Sequence, residues 1–167
     1  MARESGNLST YAAQYPEINP AFLFVTDGYN FRNNEIGAVL GISQLRRLDD
    51  MIAQRNENYS GYYDVMMNHR DKFHLPMHNL ACISSFCFPL VSRTKENHVK
   101  LEQLLKDYRV EYRPVVGGNL LKQPFLKDYD ARCPNADILH DRGLYIGNSH
   151  FINEYHIEML SEILDQL

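Results

Sequence analysis

Apolar positions along the chain change their period several times, and each change marks an element. Phe22, Leu23, Phe24 and Val25 form a short apolar run that ends at Thr26-Asp27-Gly28, a turn signal. From Ile36 onward, apolar residues recur at three- and four-residue steps through Val39, Leu40, Leu45, Leu48, Ile52, Tyr59, Tyr62, Tyr63 and Met66. That spacing predicts one helix over about 34–68 with a single apolar face. Asn33 or Asn34 is placed to cap it, and Glu35 suits the positive end of its dipole. At about 1.5 Å per residue the helix would run roughly 50 Å. The rest of the chain is too short to cover such a length, so the apolar face calls for a neighbour.

Beyond His78-Asn79 the elements are shorter. Leu80–Ser92, rich in Ile, Phe and Cys, reads as a strand. Lys95–Tyr108 reads as an amphipathic helix, Val110–Val116 as a second strand ending at Gly117-Gly118, and Asn135–Arg142 as a short helix after Pro134 and before Gly143. Leu144–Ile146 is a brief strand and Asn153–Leu167 a last amphipathic helix. Residues 1–20, with Gly6, Pro16 and Pro20, read as an irregular arm. One long helix followed by strands alternating with helices predicts an α+β fold, with strands too few and short for a doubly wound sheet.

Composition narrows the function. The 167 residues are 44% hydrophobic and 23% charged, which is globular composition. Seventeen Lys+Arg against twenty-one Asp+Glu give a net charge of -4, which offers no field for nucleic acid or an anionic membrane. The longest mostly apolar run, Leu80–Val91, is broken by Ser84, Ser85 and Pro89. The amino-terminal residues carry no apolar signal segment. Cys82, Cys87 and Cys133 are an odd set without CxxC spacing, which suggests a reducing compartment. A cytoplasmic protein with no nucleic-acid or membrane partner is expected.

Chemistry-bearing motifs are sparse. The serines lie in no GxSxG elbow, and no GxGxxG or GxxxxGK[ST] is present. Cys82 and Cys87 read as small buried hydrophobes of the first strand. His69, His74 and His78 have no carboxylate interleaved at ligand spacing, so no metal site is expected. What stands out is Gly28-Tyr29-Asn30-Phe31-Arg32 directly before the long helix. An Asn amide and an Arg fork at a helix start suit a phosphate or carboxylate, although a capped helix with a surface arginine explains the same residues.

The segment GYNFRNNEIGAVLGISQLRRLDDMIAQRNENY resembles the GYNxR-and-helix segment of the DegT/DnrJ/EryC1/StrS family of sugar aminotransferases and dehydratases. RPVVGGNLLKQPFLKDY and PNADILHDRGLYIGNSHF resemble the branch that removes a hydroxyl from a nucleotide-linked 4-keto-6-deoxyhexose, the GDP-4-keto-6-deoxymannose and CDP-sugar 3-dehydratases. The resemblance spans about residues 22–167. It implies the small C-terminal domain of the aspartate-aminotransferase fold and a pyridoxal or pyridoxamine 5'-phosphate cofactor in the intact enzyme. The ordinary aminotransferase of the family is the alternative activity, and a non-catalytic dimerisation or remnant domain is a further one.

By the same resemblance the domain order is an arm with the motif over 1–32, an interdomain helix over 33–69 and a small α+β domain over 70–167. The cofactor-bearing large domain, with the Lys or His that does the chemistry, is then expected to be missing from this chain, leaving no catalytic residue in it. Asn30 and Arg32 are the implied cofactor contacts, and Glu111, Arg113 and Asn119 the implied substrate contacts. A surface ion pair is the plain alternative for Glu111 and Arg113. The implied partners are a second copy of the chain or a separate large-domain chain, and a nucleotide-sugar substrate.

Overall fold

The computed structural model describes residues 8–25, 34–79 and 81–167. They fall into two compact units, one drawn from residues before Arg32 and from Pro114–Asp141, the other from Arg32–Arg113 and Arg142–Leu167.

The larger unit is built on helices laid over a small sheet. Where the apolar period predicts one helix over about 34–68, the structure has two, α2 (Glu35–Leu45) and α3 (Leu48–Asn68). The break needs neither proline nor glycine. The N–H of Arg47 donates to the carbonyl of Gln44, a tightened last turn, and the Arg47 carbonyl opens the next helix by accepting from Met51. Asp49 and Asp50 then occupy the first turn of α3, where acidic groups complement the helix dipole. Asn34 caps α2 by accepting from the Gly37 N–H at 2.7 Å. None of the α2 residues is buried among the described residues.

The sheet has the order β1-β2-β4-β3, with β1 (Phe73–His74), β2 (Cys87–Ser92), β3 (Tyr112–Pro114) and β4 (Gly143–Gly147). β2 runs antiparallel to both β1 and β4. Pro89 lies in a strand that has neighbours on both sides, a position normally closed to proline. It is tolerated because β1 reaches only Val91 and Ser92, leaving the β1 side of Pro89 without a ladder. The strand expected over Leu80–Ser92 therefore begins only at Cys87. Cys82 is exposed rather than core, and its Sγ accepts from the Asn56 amide at 3.2 Å.

One face of the sheet is sealed. Phe88, Leu90, Leu144 and Ile146 alternate along β2 and β4 and are buried under Tyr59, Tyr62, Val65 and Met66 of α3, Leu101 and Leu105 of α4 (Lys95–Asp107), and Leu160, Ile163 and Leu164 of α6 (Glu154–Asp165). Phe88 meets the rings of Tyr59 and Tyr62 at centroid distances of 4.9 and 5.2 Å, in edge-to-face and tilted geometry. α3 and α6 approach closely at Gly61, where a Cβ would stand 2.7 Å from Ile157 Cδ1. Asparagines tie the connecting loops to α3. Asn148 donates to the carbonyls of Arg55 and Ser85, Asn58 donates to the carbonyl of Ser149, and Asn56 accepts from the Ile83 N–H.

In the smaller unit the expected irregular arm contains a helix, α1 (Leu8–Gln14). It also holds a 3-10 turn at Pro20–Phe22, capped by Asn19, two more at Leu120–Lys122 and Pro124–Leu126, and most of α5 (Pro134–Arg142). Among the described residues no helix is long and apolar enough to cross a membrane.

The α3 face makes a pH prediction. Burial pushes the Tyr62 hydroxyl from 10.0 up to about 12. Above pH 10 the unfolded chain ionises this group while the folded chain keeps its proton, so stability is lost as pH rises from 10 toward 12. Urea unfolding at about pH 9 and pH 11 should show that Tyr62→Phe removes about 1 kcal/mol of that loss. An unchanged slope in the variant would place the titration elsewhere.

Candidate functional site

The site grows from how α4 ends. The N–H of Arg109 donates to the carbonyl of Lys106 and that of Val110 to the carbonyl of Leu105, the paired closure of a Schellman motif. This closure puts a left-handed residue just past the helix, and Arg109 takes it at φ 58, where glycine is usual. The chain is thereby turned into Glu111, Tyr112 and Arg113 along β3 at the sheet edge.

Glu111 and Arg113 stand two apart on an extended segment, so they share a face. Arg113 donates to Glu111 at 3.0 Å, with both side chains well exposed. They line an open cavity of about 280 Å³ together with Phe86, Tyr112, Tyr145 and Gly147. Phe86 is 68% exposed and meets Tyr145 edge to face at 6.2 Å. The cavity thus joins a carboxylate and guanidinium to aromatic walls. Glu111 also lines a larger, mainly apolar cavity of about 370 Å³ beside Tyr62, Arg109 and His156.

Asn119 belongs to the other unit and is buried. Its amide oxygen accepts from the Leu121 N–H at 3.0 Å, capping the 3-10 turn, and its amide nitrogen donates to Asp137 at 2.8 Å. Its backbone N–H donates to His140 Nδ1. Gly117 and Gly118 precede it with φ 72 and 53, and a Cβ on Gly118 would stand 2.1 Å from His140 Nδ1. Only glycine lets the imidazole lie so close to the backbone. The Asn119 hydrogen bond holds the Asp137 carboxyl below its ordinary value, and Lys122, 3.5 Å away, adds to the effect. His140 is therefore a support of the 117–119 turn.

Of the residues implied as site residues, Glu111 and Arg113 come together, Asn119 lies in the other unit with both ends of its amide engaged, and Asn30 and Arg32 lie outside the described residues. Sequence reasoning missed Phe86 and Tyr145. Tyr145 alternates with Leu144 and Ile146 and so faces away from the core, a signal that the pattern of β4 carries. Phe86 has the parity of Phe88 and Leu90, and only the late start of β2 leaves it exposed.

Comparison with known proteins gives a consistent answer. A sequence model described as the DegT/DnrJ/EryC1/StrS aminotransferase family matches residues 6–165. A GDP-4-keto-6-deoxy-D-mannose 3-dehydratase of Escherichia coli is 31% identical over 157 residues, 89% of this chain and 39% of that protein. A GDP-perosamine synthase of Escherichia coli is 30% identical over 83% of this chain and 37% of that protein. The solved E. coli GDP-4-keto-6-deoxy-D-mannose-3-dehydratase with bound hydrated PLP aligns with a TM-score of 0.69 at 27% identity, covering 92% of this chain and 44% of that one. The chain thus spans about two fifths of the length of the relatives it matches.

The left-handed Arg109 makes a prediction. A side chain in this conformation costs roughly 1–2 kcal/mol, part of which glycine's greater freedom when unfolded offsets. Arg109→Gly should therefore stabilise the chain by about 0.5–1 kcal/mol in urea unfolding, and Arg109→Ala should not. Equal effects of the two variants would mean that the turn is unstrained.

Proposed function

The chain belongs to the DegT/DnrJ/EryC1/StrS aminotransferase family, and from that membership we propose that it supplies the C-terminal part of a cofactor-dependent 3-dehydratase acting on a nucleotide-linked 4-keto-6-deoxyhexose. The observation that carries the reading is the joint likeness, in sequence and in fold, to proteins named for that reaction. The relative solved with PLP supports pyridoxal or pyridoxamine 5'-phosphate as the cofactor.

In this reading Asn30 reaches across a dimer to the cofactor phosphate, Arg32 belongs to the same cofactor site, and no residue of this chain is catalytic. When bound, the cofactor supplies an electron sink for the sugar. Arg113 and Glu111 serve the substrate. Their exposed ion pair is worth little, about 0–1 kcal/mol, so either partner turns to a ligand at small cost. The Arg113 fork suits a phosphate or a ring oxygen, Glu111 accepts from a sugar hydroxyl, and Phe86 and Tyr145 give the apolar face of a deoxyhexose a wall. Asn119, with its amide engaged, contributes by shaping the 117–119 turn rather than by direct contact.

Two alternatives have specific support. The likeness to a GDP-perosamine synthase favours a sugar aminotransferase of the same family. The bare apolar positions of α2, with Ile36, Val39, Ile42 and Leu45 all more than 60% exposed, favour a chain that associates with a second copy or with a separate large-domain chain.

A titration of the 167-residue chain with pyridoxal phosphate, followed by absorbance and fluorescence anisotropy, tests the reading. No saturable binding is expected from this chain alone. Saturable binding with a shifted absorbance band, lost in Asn30→Ala, would show that the chain builds a cofactor site by itself and would overturn the division of labour proposed here. In an active enzyme containing this chain, Arg113→Ala should raise the substrate KM about tenfold or more, the scale of one charge-assisted contact. An unchanged KM would return Arg113 to a surface role.

A further inference from the structure

Between the α4–β3 turn, β4 and α6 the larger unit leaves a cavity of about 370 Å³, and every residue lining it belongs to that unit. Its walls are mainly apolar, with Val110, Ile146, Ile152 and Leu160 among them. Five side chains bring polar groups to it, and three of these are engaged. The Tyr108 hydroxyl accepts from Gln166 at 2.6 Å, the Glu111 carboxylate accepts from Arg113 at 3.0 Å, and His156 Nδ1 lies 2.7 Å from the Asn153 cap. Arg109 is exposed and so stands at the rim.

Tyr62 is different. It is 2% exposed, it lines the cavity, and its hydroxyl has no hydrogen-bond partner among the described residues. A buried phenol normally finds one, because an unmet donor in apolar surroundings is costly. Burial alone pushes this hydroxyl up to about 12, in keeping with a group that no neighbour engages. The Phe88 ring, 5.2 Å away between centroids, fixes the Tyr62 ring in the core. The donor is therefore held in place for a partner that the chain does not supply.

These features define what would fit. The space is roughly twice that of a cavity of about 150 Å³, which takes up one benzene, so it holds a ring with a short substituent. Arg109 and Glu111 bring opposite charges to the cavity, which favours neither sign, and an ion set among the apolar walls would lose its hydration. We propose that this cavity binds a small neutral ligand, an aromatic or alicyclic ring bearing one carbonyl-type acceptor, with the Tyr62 hydroxyl donating to that acceptor. The cavity is mostly apolar with one placed polar group, the usual make-up of a small-molecule site. The inference goes beyond the functional reading above and does not rest on it.

The test is an NMR titration of the 167-residue chain with acetophenone and with ethylbenzene, which share a shape and differ by the acceptor. Acetophenone should give saturable shifts at Ile146, Ile152, Leu160 and Ile163 with a Kd of about 1 mM or lower. Ethylbenzene should bind about tenfold more weakly, because it leaves the phenol unpaired. That comparison needs no variant to fold. Tyr62→Phe removes the hydroxyl and keeps the ring, and should bring the two ligands within about twofold of each other. Tyr59→Phe, which removes a core hydroxyl already donating to the Met77 carbonyl, should keep the preference. Absence of saturable shifts, equal binding of the two ligands by the wild type, or a preference that survives Tyr62→Phe would each overturn the proposal.

Discussion

Everything in the larger unit depends on a four-stranded sheet with one face sealed by helices. Phe88 and Leu90 on β2, with Leu144 and Ile146 on β4, draw α3, α4 and α6 onto that face, and the aromatic contacts of Phe88 with Tyr59 and Tyr62 lie at its centre. Because side chains alternate along a strand, sealing one face commits the intervening residues to the other. Tyr145 and the edge strand with Glu111 and Arg113 are left there, and an open cavity remains where another layer would lie in a two-sided sheet. The packing that makes the core is thus the same constraint that makes the candidate site.

The two units have different physical characters. The larger one is held by apolar area, with polar groups used mainly at its loops, where Asn56, Asn58 and Asn148 satisfy backbone groups. The smaller one has little regular structure and relies on single buried amides. Gln123 and Asn119 each satisfy several groups there, and Gly117 and Gly118 admit the close contacts that those bonds require. Such a unit tolerates few substitutions at these positions, because removing one amide leaves several partners unpaired.

How much of this was legible in the sequence depended on the range of the interaction. α4, α5, β4 and α6 were read to within about two residues, because local period and capping residues specify them. The α2–α3 break was not legible. Its cause is a tight turn at Arg46-Arg47, in a stretch where the apolar period continues unbroken, and the period alone does not tell a continued helix from two helices in series. The start of β2 was misplaced for a related reason: Asn56 and Asn148, distant in sequence, hold residues 83–85 in a loop that composition reads as strand. Of the candidate site, Glu111 and Arg113 were legible as neighbours two apart. Phe86 and Tyr145 were not, since each owes its place to contacts made across the fold.

The exposed apolar residues of α2 complete the picture. Burying a side chain of the Val, Leu or Ile class contributes about 1.5–3 kcal/mol, and α2 collects none of this among the described residues. An eleven-residue helix at the margin of stability in isolation, capped at Asn34 but unsupported along its length, gains its stability on contact with another surface. In the reading proposed above, a second copy or a separate large-domain chain would supply that surface to Ile36, Val39, Ile42 and Leu45.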